Sequence, residues 1–290
     1  MATCTDRITK EKDESMTKPN WLELPIDLTM NILQRLDTVD ILRSARNVCP
    51  LWRNIYKDPL KWRTILIRGL DHPFRIDRLG KICRCAIDLS CGLLEDIRIE
   101  HIGTDDLLED MAHRVSHLQR LQLFKCDGVK DEGLAEFVKT LPLLEELDYV
   151  SRRGHISKEC VEVIGRCCPL LKSLRLDTEG CCHSVCHGHG EAIFIGKTMP
   201  GLCHLKLFGI VLTNDELLTI LDGCPLLESL HLSKYGCYYL NPDLVKRCQV
   251  QIKDFKILQN FQGVDYECSL GVEGDILDID FLSLVYLNFS

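Results

Sequence analysis

The chain has 290 residues and a net charge of −8, from 35 Lys and Arg against 43 Asp and Glu. This acidic balance disfavours a general role in binding nucleic acid or an anionic membrane surface, and no apolar run approaches the roughly 20 residues that span a bilayer. Seventeen cysteines with no secretory signal ahead of them favour reduced thiols. We therefore expect no nucleic-acid or membrane partner and a location in the nucleus, the cytoplasm or both.

Three short helices are predicted between residues 24 and 65. The first follows Pro25, and its apolar face is built by i, i+4 spacing from Leu28, Ile32, Leu33 and Leu36. The second is capped by Asp37 or Thr38 and has an apolar stripe of Ile41, Leu42, Ala45 and Val48. The third begins at Pro50, and a fourth turn begins at Asp58-Pro59. So small a bundle buries little of its own surface, which predicts a partner.

The order of residues in this bundle resembles the F-box. An ordinary leucine-rich bundle would explain the leucines, but not Leu24-Pro25, Val48-Cys49-x-x-Trp52-Arg53 and a second Trp62-Arg63 together. The resemblance implies docking onto a Skp-family adaptor and, through it, indirectly onto the cullin and RING subunits of a ubiquitin ligase. It assigns to the adaptor a set of positions, of which some must be internal packing: Leu24, Pro25, Ile32, Leu33, Leu36, Ile41, Leu42, Val48, Cys49 and Trp52.

From about residue 67 the sequence becomes a repeat. The frame Leu-x-x-Leu-x-Leu, or a close variant, begins at Leu94, Leu118, Leu144, Leu171, Leu202 and Leu227, with a weaker copy at Ile252. The last positions of successive copies are 24 residues apart at the closest (123 − 99) and 31 at the widest (207 − 176). Such periods are typical of leucine-rich repeats, in which strand and helix alternate and neighbouring units share one core.

Polar residues precede an apolar helical stripe in several repeats, which predicts capped helix starts at Asp105, Asp131, Ser157 or Lys158, and Asn214. Prolines then end the helices before the next strand. The Cys-Pro pairs at Cys168-Pro169 and Cys224-Pro225, and Cys126 after a strand, resemble the cysteine-containing repeats of F-box proteins, especially a plant group. That resemblance covers about residues 90–258.

We predict an α/β architecture: a helical F-box followed by a solenoid of about seven cysteine-containing leucine-rich repeats, with parallel strands on the concave face and helices outside. The predicted divisions are a disordered N-terminus at 1–19, the F-box at 20–65, the repeats at 66–258, and an acidic tail, cap or disordered end at 259–290. Residues 66–90 are expected to form a helical cap with one face made of Ile76, Leu79, Ile82, Cys83 and Ala86.

The strand residues between the leucines are predicted to face outward. Exposed Phe124 and Phe208 among charged residues indicate a protein-binding surface, although a solvated face is the simpler interpretation for any single residue. The candidate target-binding residues are Arg98, Arg120, Gln122, Phe124, Asp148, Arg175, Lys206, Phe208 and His231.

Two kinds of chemistry compete with protein binding. The run from Cys181 to His189 is dense enough in Cys and His to supply zinc ligands, but it contains no Cys-x-x-Cys and has no paired second half, so we expect no metal. A cysteine nucleophile would need an activated thiolate, whereas most repeat cysteines are predicted to be buried and inert. No phosphate loop or hydrolase motif is present. We expect no catalytic residues and no cofactor.

Taken together, these features predict the substrate-recognition subunit of an SCF (Skp–cullin–F-box) ubiquitin ligase, which binds the adaptor at one end and an unknown target protein at the other. The ligase would act by proximity, without bond chemistry in this chain. Two alternatives stay open: a non-ligase F-box scaffold and a zinc-binding regulatory protein. A small-molecule co-receptor, like the plant hormone receptors of similar layout, is a lesser possibility because about seven repeats cannot close into their large horseshoe.

Overall fold

The computed structural model describes residues 24–33, 35–69, 76–152, 156–178, 190–233, 237 and 240–258. Two compact units divide the chain, one covering residues 1–36 and the other residues 37–290. The predicted disordered N-terminus, the Cys181–His189 run and the predicted acidic tail lie outside the described residues.

The first unit contains helix α1, Ile26–Leu33. Pro25 stands just before the helix, and its carbonyl accepts a hydrogen bond from the Thr29 N–H at 2.9 Å. Leu33 is buried, whereas Ile26 and Leu28 are about half exposed, at 57% and 49%. Much of the apolar surface of this helix is therefore accessible.

The second unit begins with short helices: α2 (Thr38–Arg43), a 3₁₀ turn (Ala45–Asn47), α3 (Pro50–Ile55) and a second 3₁₀ turn (Pro59–Trp62). The predicted cap holds, since the Asp37 carboxylate accepts from the Asp40 N–H at 2.8 Å. The Trp62 indole N–H donates to the Tyr56 carbonyl at 3.0 Å, which satisfies the one polar atom of a buried ring.

Within the part of the chain that the structure describes, eight parallel strands form one sheet, in the same order as in the sequence. They are β1 (Thr64–Arg68), β2 (Asp96–Glu100), β3 (Arg120–Phe124), β4 (Glu146–Ser151), β5 (Ser173–Thr178), β6 (His204–Phe208), β7 (Ser229–Ser233) and β8 (Asp254–Leu258). Alternate residues are buried, and they stay in register from strand to strand, as Leu121, Leu147 and Leu174 do. This alternation places one row of apolar side chains under the sheet and leaves the other face open.

In the described residues, a helix follows each strand from β1 to β7: α4 (Ile76–Leu89), α5 (Asp105–Ala112), α6 (Asp131–Val138), α7 (Lys158–Cys167), α8 (Glu191–Thr198), α9 (Asn214–Gly223) and α10 (Pro242–Gln251). Consecutive helices pack side by side, and their apolar stripes join the strand leucines in a continuous core. The predicted fold class, a helical F-box region followed by leucine-rich repeats of parallel strands and helices, is confirmed. The boundaries predicted for its parts stay predictions.

Strand β1 was not expected in the helical region predicted between the F-box and the first repeat. It is the first strand of the same sheet and pairs with β2 along its whole length. Trp62, Ile65 and Ile67 are buried at the three positions that leucines occupy in the other repeats. The Thr38 hydroxyl accepts from the Leu66 N–H at 3.0 Å, so α2 is joined directly to this strand.

The capping residues of the repeats differ in part from the prediction. Ser157 caps its helix as expected, accepting from the Cys160 N–H at 3.2 Å. Thr104 and Thr213, however, cap the helices that Asp105 and Asn214 were predicted to cap. Asp105 instead lies in the first turn, where its carboxylate accepts from the Lys130 N–H of the next repeat at 2.8 Å. A carboxylate near a helix N-terminus thus also joins consecutive repeats.

None of the described helices has the length and apolar content needed to cross a bilayer. The described residues also contain no group of three or more His, Cys, Asp or Glu side chains arranged to hold a metal ion. The predicted zinc candidate falls outside these residues, so that alternative is not tested.

Candidate protein-interaction surfaces

The positions assigned to the adaptor by the F-box resemblance divide by exposure. On α1, Ile32 is exposed, whereas Leu33 is only 2% exposed and belongs to the packing. Ile26 and Leu28 are more exposed than Ile32, although neither was among the assigned positions. The i, i+4 face identified Leu28, but nothing in the pattern distinguished its outward from its inward members.

A second group of the assigned positions lies on α2, α3 and the segments beside them. Val48 is 56% exposed, and the other assigned residues here, Ile41, Leu42, Cys49 and Trp52, are partly exposed. Leu60 is a further apolar residue with 56% exposure, in the turn before Trp62. Large exposed apolar side chains so close in sequence are typical of a surface that a partner covers.

Pro50 and Cys49 explain why this segment presents its side chains as it does. Pro50 occupies the first turn of α3, where its missing N–H costs no hydrogen bond. The Cys49 sulfur accepts from the Trp52 N–H at 3.5 Å and so acts as the helix cap. The Val-Cys-x-x-Trp pattern therefore sets the backbone at the start of α3 through local contacts. The side chain of Val48 stays exposed to solvent.

The open sheet face, formed by the outward side chains of the strands, contains all nine predicted target-binding residues. Arg120 is held between two carboxylates: its Nη1 lies 2.8 Å from Asp96 Oδ2, and its Nε lies 2.7 Å from Glu146 Oε2. Asp96, Arg120 and Glu146 are register partners in neighbouring strands. Hydrogen bonding to Arg120 lowers the pKa of Glu146. Arg120 is thus committed to a bond network within the sheet.

Gln122 and Asp148 form a second pair on this face, with Gln122 Nε2 donating to Asp148 Oδ2 at 3.0 Å. Burial raises the pKa of Asp148, although Arg175 and the hydrogen bond from Gln122 act in the opposite direction. The carboxyl group of Asp148 therefore lies in a partly dehydrated site, where its charge is unfavourable.

Phe124, Arg175 and Phe208 form a third group. The Arg175 guanidinium carbon lies 5.7 Å from the centre of the Phe124 ring and 5.6 Å from that of Phe208. Arg175 Nη2 also lies 2.9 Å from Asp177 Oδ2, while its buried Nε has no hydrogen-bond partner. Arg98 approaches Phe124 from the other side, at 4.3 Å. Both rings are only partly exposed, less than the sequence indicated.

Lys206 and His231 complete the open face. Lys206 stands in register between Arg175 and His231 and forms no ion pair with a described residue. His231 Nε2 lies 2.8 Å from Asp254 Oδ2 and 3.4 Å from the Ser229 hydroxyl. Both contacts use the same ring nitrogen, so these residues lack the serine–histidine–aspartate geometry in which the two ring nitrogens have separate partners. Burial lowers the pKa of His231.

The cysteines that the structure describes are free thiols. Burial raises the pKa of Cys83, Cys126 and Cys160 to about 12. Such thiols stay protonated near neutral pH and are poor nucleophiles. Cys126 instead donates its S–H to the Ile99 carbonyl of the previous repeat at 3.4 Å. These buried cysteines are suited to packing between repeats.

Comparison with known proteins decides the family. The family model for the F-box domain matches residues 21–64. F-box protein SKIP19 of Arabidopsis thaliana is 39% identical over 273 residues, which cover 91% of this chain and 86% of that protein. F-box/LRR-repeat protein 22 of the same plant is 42% identical, over 82% of this chain and 76% of its own length. This chain belongs to the F-box/LRR-repeat proteins. The resemblance predicted from the sequence is confirmed.

Among solved structures, the crystal structure of the yeast Rad7 and Elc1 complex covers 63% of this F-box/LRR-repeat chain and 49% of that chain, with 14% sequence identity and a TM-score of 0.46. That likeness is too distant to add to the family assignment.

The F-box supports binding of a Skp-type adaptor by this chain, and the F-box/LRR-repeat relatives support a general role as an SCF substrate receptor. Members of such families are typically non-catalytic adaptor subunits.

Proposed function

We propose that this chain is the substrate-recognition subunit of an SCF ubiquitin ligase, which marks a target protein for ubiquitination and proteasomal degradation. The observation that carries the proposal is the pairing of two features: an F-box with exposed apolar side chains, and a repeat sheet with a polar open face. The first supports binding to a Skp-family adaptor, and the second supports binding to a target.

Such a subunit would act by proximity. The adaptor would connect it to the cullin and RING subunits, and the repeats would hold the target near the ubiquitin-charged enzyme. A tethered target is present at a much higher effective concentration than a free one, so no bond needs to be made or broken by this chain. We further propose that it does this work in the nucleus, the cytoplasm or both.

Co-purification with a Skp-family adaptor tests the first half of the proposal. Val48→Glu places a charge on an exposed apolar residue of the candidate adaptor surface and should reduce adaptor recovery at least tenfold, as should the pair Leu24→Ala/Pro25→Ala. Leu226→Glu is the matched control, because Leu226 is equally exposed, at 58%, but lies in a repeat. Equal recovery with Val48→Glu and wild type would contradict the proposed adaptor surface.

The open face is the proposed target-binding surface. At its centre lie the partly exposed rings of Phe124 and Phe208 and the cation of Lys206, which forms no ion pair with a described residue. Aromatic side chains are enriched in protein interfaces, and a charged group favours a partner of opposite charge. Arg120, by contrast, already has two carboxylate partners in the sheet, so we expect it to contribute less than its charge suggests.

A reconstituted ligase tests the second half, using a target found by comparing ubiquitinated proteins from cells with and without the receptor. The double variant Lys206→Glu/Phe208→Ala should lower target ubiquitination at least fivefold while adaptor recovery stays unchanged. Lys197→Glu, an exposed helical cation outside the open face, should leave both unchanged. Adaptor binding without any effect of the receptor on ubiquitination would favour the scaffold function instead.

A further inference from the structure

Four basic side chains lie together at the carboxyl-terminal ends of the first four strands. Arg68 ends β1, His101 and Lys125 directly follow β2 and β3, and Arg152 directly follows β4. We name this group the basic edge. Its four residues belong to successive strands, which lie about 4.8 Å apart in a sheet, so their backbone positions span roughly 14 Å across the end of the sheet.

Two side chains of the basic edge, those of Arg152 and His101, contact each other. Arg152 Nη2 lies 2.8 Å from His101 Nδ1, which means that Arg152 reaches back across the strand that carries Lys125. An arginine can only donate, so Arg152 is the donor of this contact and His101 Nδ1 the acceptor.

Within the described residues, Arg68, Lys125 and Arg152 form no ion pair, whereas the arginines of the open face each have a carboxylate partner. The nearest acid in the strands, Glu100, is occupied by Arg98 at 2.7 Å. Asp127 follows Lys125 by two residues and is exposed. In a chain with a net charge of −8, this local excess of positive charge is unusual.

The backbone of the basic edge supports the same interpretation. His101 and Lys125 have φ angles of 65° and 52°, and Gly209 has 75° at the corresponding position after β6. Glycine adopts this conformation without strain, and lysine rarely does. The loops are also closely packed, since a Cβ added to Gly103 would lie 2.7 Å from the sulfur of Cys126. Two basic residues thus occupy positions with a backbone conformation that glycine would adopt with less strain.

We propose that the basic edge binds an extended acidic segment of the target protein; the assignment to a target rests on the proposed function. An extended peptide rises about 3.3 Å per residue, so four or five residues match the ~14 Å length of the edge. Three cations on separate strands, Arg68, Lys125 and Arg152, fit several acidic side chains of one chain better than a single compact anion. Phe124 immediately precedes Lys125, so the same segment can continue onto the open face.

The test uses the full chain in complex with its adaptor and, as a probe, a fluorescein-labelled decapeptide of alternating Glu and Ser. Fluorescence anisotropy should give a Kd that Lys125→Asn/Arg152→Gln raises at least fivefold. Asparagine tolerates a positive φ, so this variant removes charge without adding backbone strain. The matched control is Arg78→Gln/Lys81→Gln, which removes the same charge from two exposed residues of α4 and should leave the Kd within twofold.

Several outcomes would overturn the inference: a probe that does not bind, a control that weakens binding as much as the basic-edge variant, or equal competition by inorganic phosphate at matched ionic strength. A synthetic peptide of residues 259–290, which contains six acids and no Lys or Arg, is a further competitor. If it displaced the probe more strongly than an unlabelled probe did, the occupant would be this chain itself and not a target. Adaptor recovery is measured on the same preparations, so failure of the basic edge is distinguishable from failure of the proposed function.

Discussion

The two faces of the repeat sheet follow opposite rules. On the face toward the helices, the strand residues are apolar and fully buried, as Leu147 and Leu174 are at 0% exposure. On the open face, the residue type changes from each strand to the next: Gln122, Asp148 and Arg175 are register partners in three consecutive strands. The helix-side residues repeat because stacking units share one core, and the open-face residues vary because packing does not constrain them.

This difference indicates where stability and where specificity come from. The helix-side leucines bury apolar surface and pack against the leucines of neighbouring repeats, which stabilises the stack. The open-face residues form bonds along the sheet, such as those from Arg120 to Asp96 and Glu146, which arrange side chains without building a core. Substitutions of adjacent residues on the two faces should therefore differ in size and even in sign.

The largest effect is expected for Leu147→Ala on the helix side. Removing a fully buried leucine leaves a cavity and typically costs about 2–5 kcal/mol in the free energy of unfolding. Urea unfolding followed by circular dichroism should show a lower midpoint with an unchanged slope. Leu226→Ala, at a leucine that is 58% exposed, should change the unfolding free energy by less than about 0.5 kcal/mol. Similar losses for the two variants would contradict the contrast between the faces.

The regular burial of apolar strand residues on the helix side is also what made the fold predictable. A repeated Leu-x-x-Leu-x-Leu frame predicts where the strands lie, which of their residues face the core, and that neighbouring repeats must stack. The strands from β2 to β8 follow this frame. Strand β1 was missed because Trp62 and Ile65, the first two positions of its frame Trp62-x-x-Ile65-x-Ile67, lie within the predicted F-box at 20–65. These residues were assigned to the helical motif, and the repeat was therefore expected to begin later in the chain.

The candidate site could be predicted only in part. Alternation identifies the outward residues, and the register of the repeats brings Asp96, Arg120 and Glu146 side by side. The choice of partners could not be derived, because it depends on side-chain directions. Arg175 pairs with Asp177 of its own strand and not with Asp148 beside it. In the F-box region, the same limit hid the burial of Leu33.

A smaller effect of opposite sign is expected for Asp148→Asn, one residue away from Leu147 but on the open face. Burial raises the pKa of Asp148, so ionisation opposes folding at neutral pH. Asparagine keeps an oxygen that can accept from Gln122 Nε2, as the carboxylate does at 3.0 Å. The variant should therefore be more stable than wild type at pH 7, by up to about 1 kcal/mol, the usual range for one polar substitution.

The direction of the Asp148 pKa shift determines how the stability difference between Asp148→Asn and wild type changes with pH. Because the pKa of Asp148 is higher in the folded state, the folded state binds more protons between the two pKa values, and wild-type stability falls as pH rises through that window. Above the window the loss is constant; below the unfolded value of about 3.9 it disappears. Urea midpoints from pH 3.5 to pH 8 should show the advantage of Asp148→Asn growing with pH. Glu146→Gln should behave oppositely, since hydrogen bonding to Arg120 lowers the pKa of Glu146. A lower stability of Asp148→Asn at pH 7 would mean that attraction to Arg175 outweighs the burial of the charge.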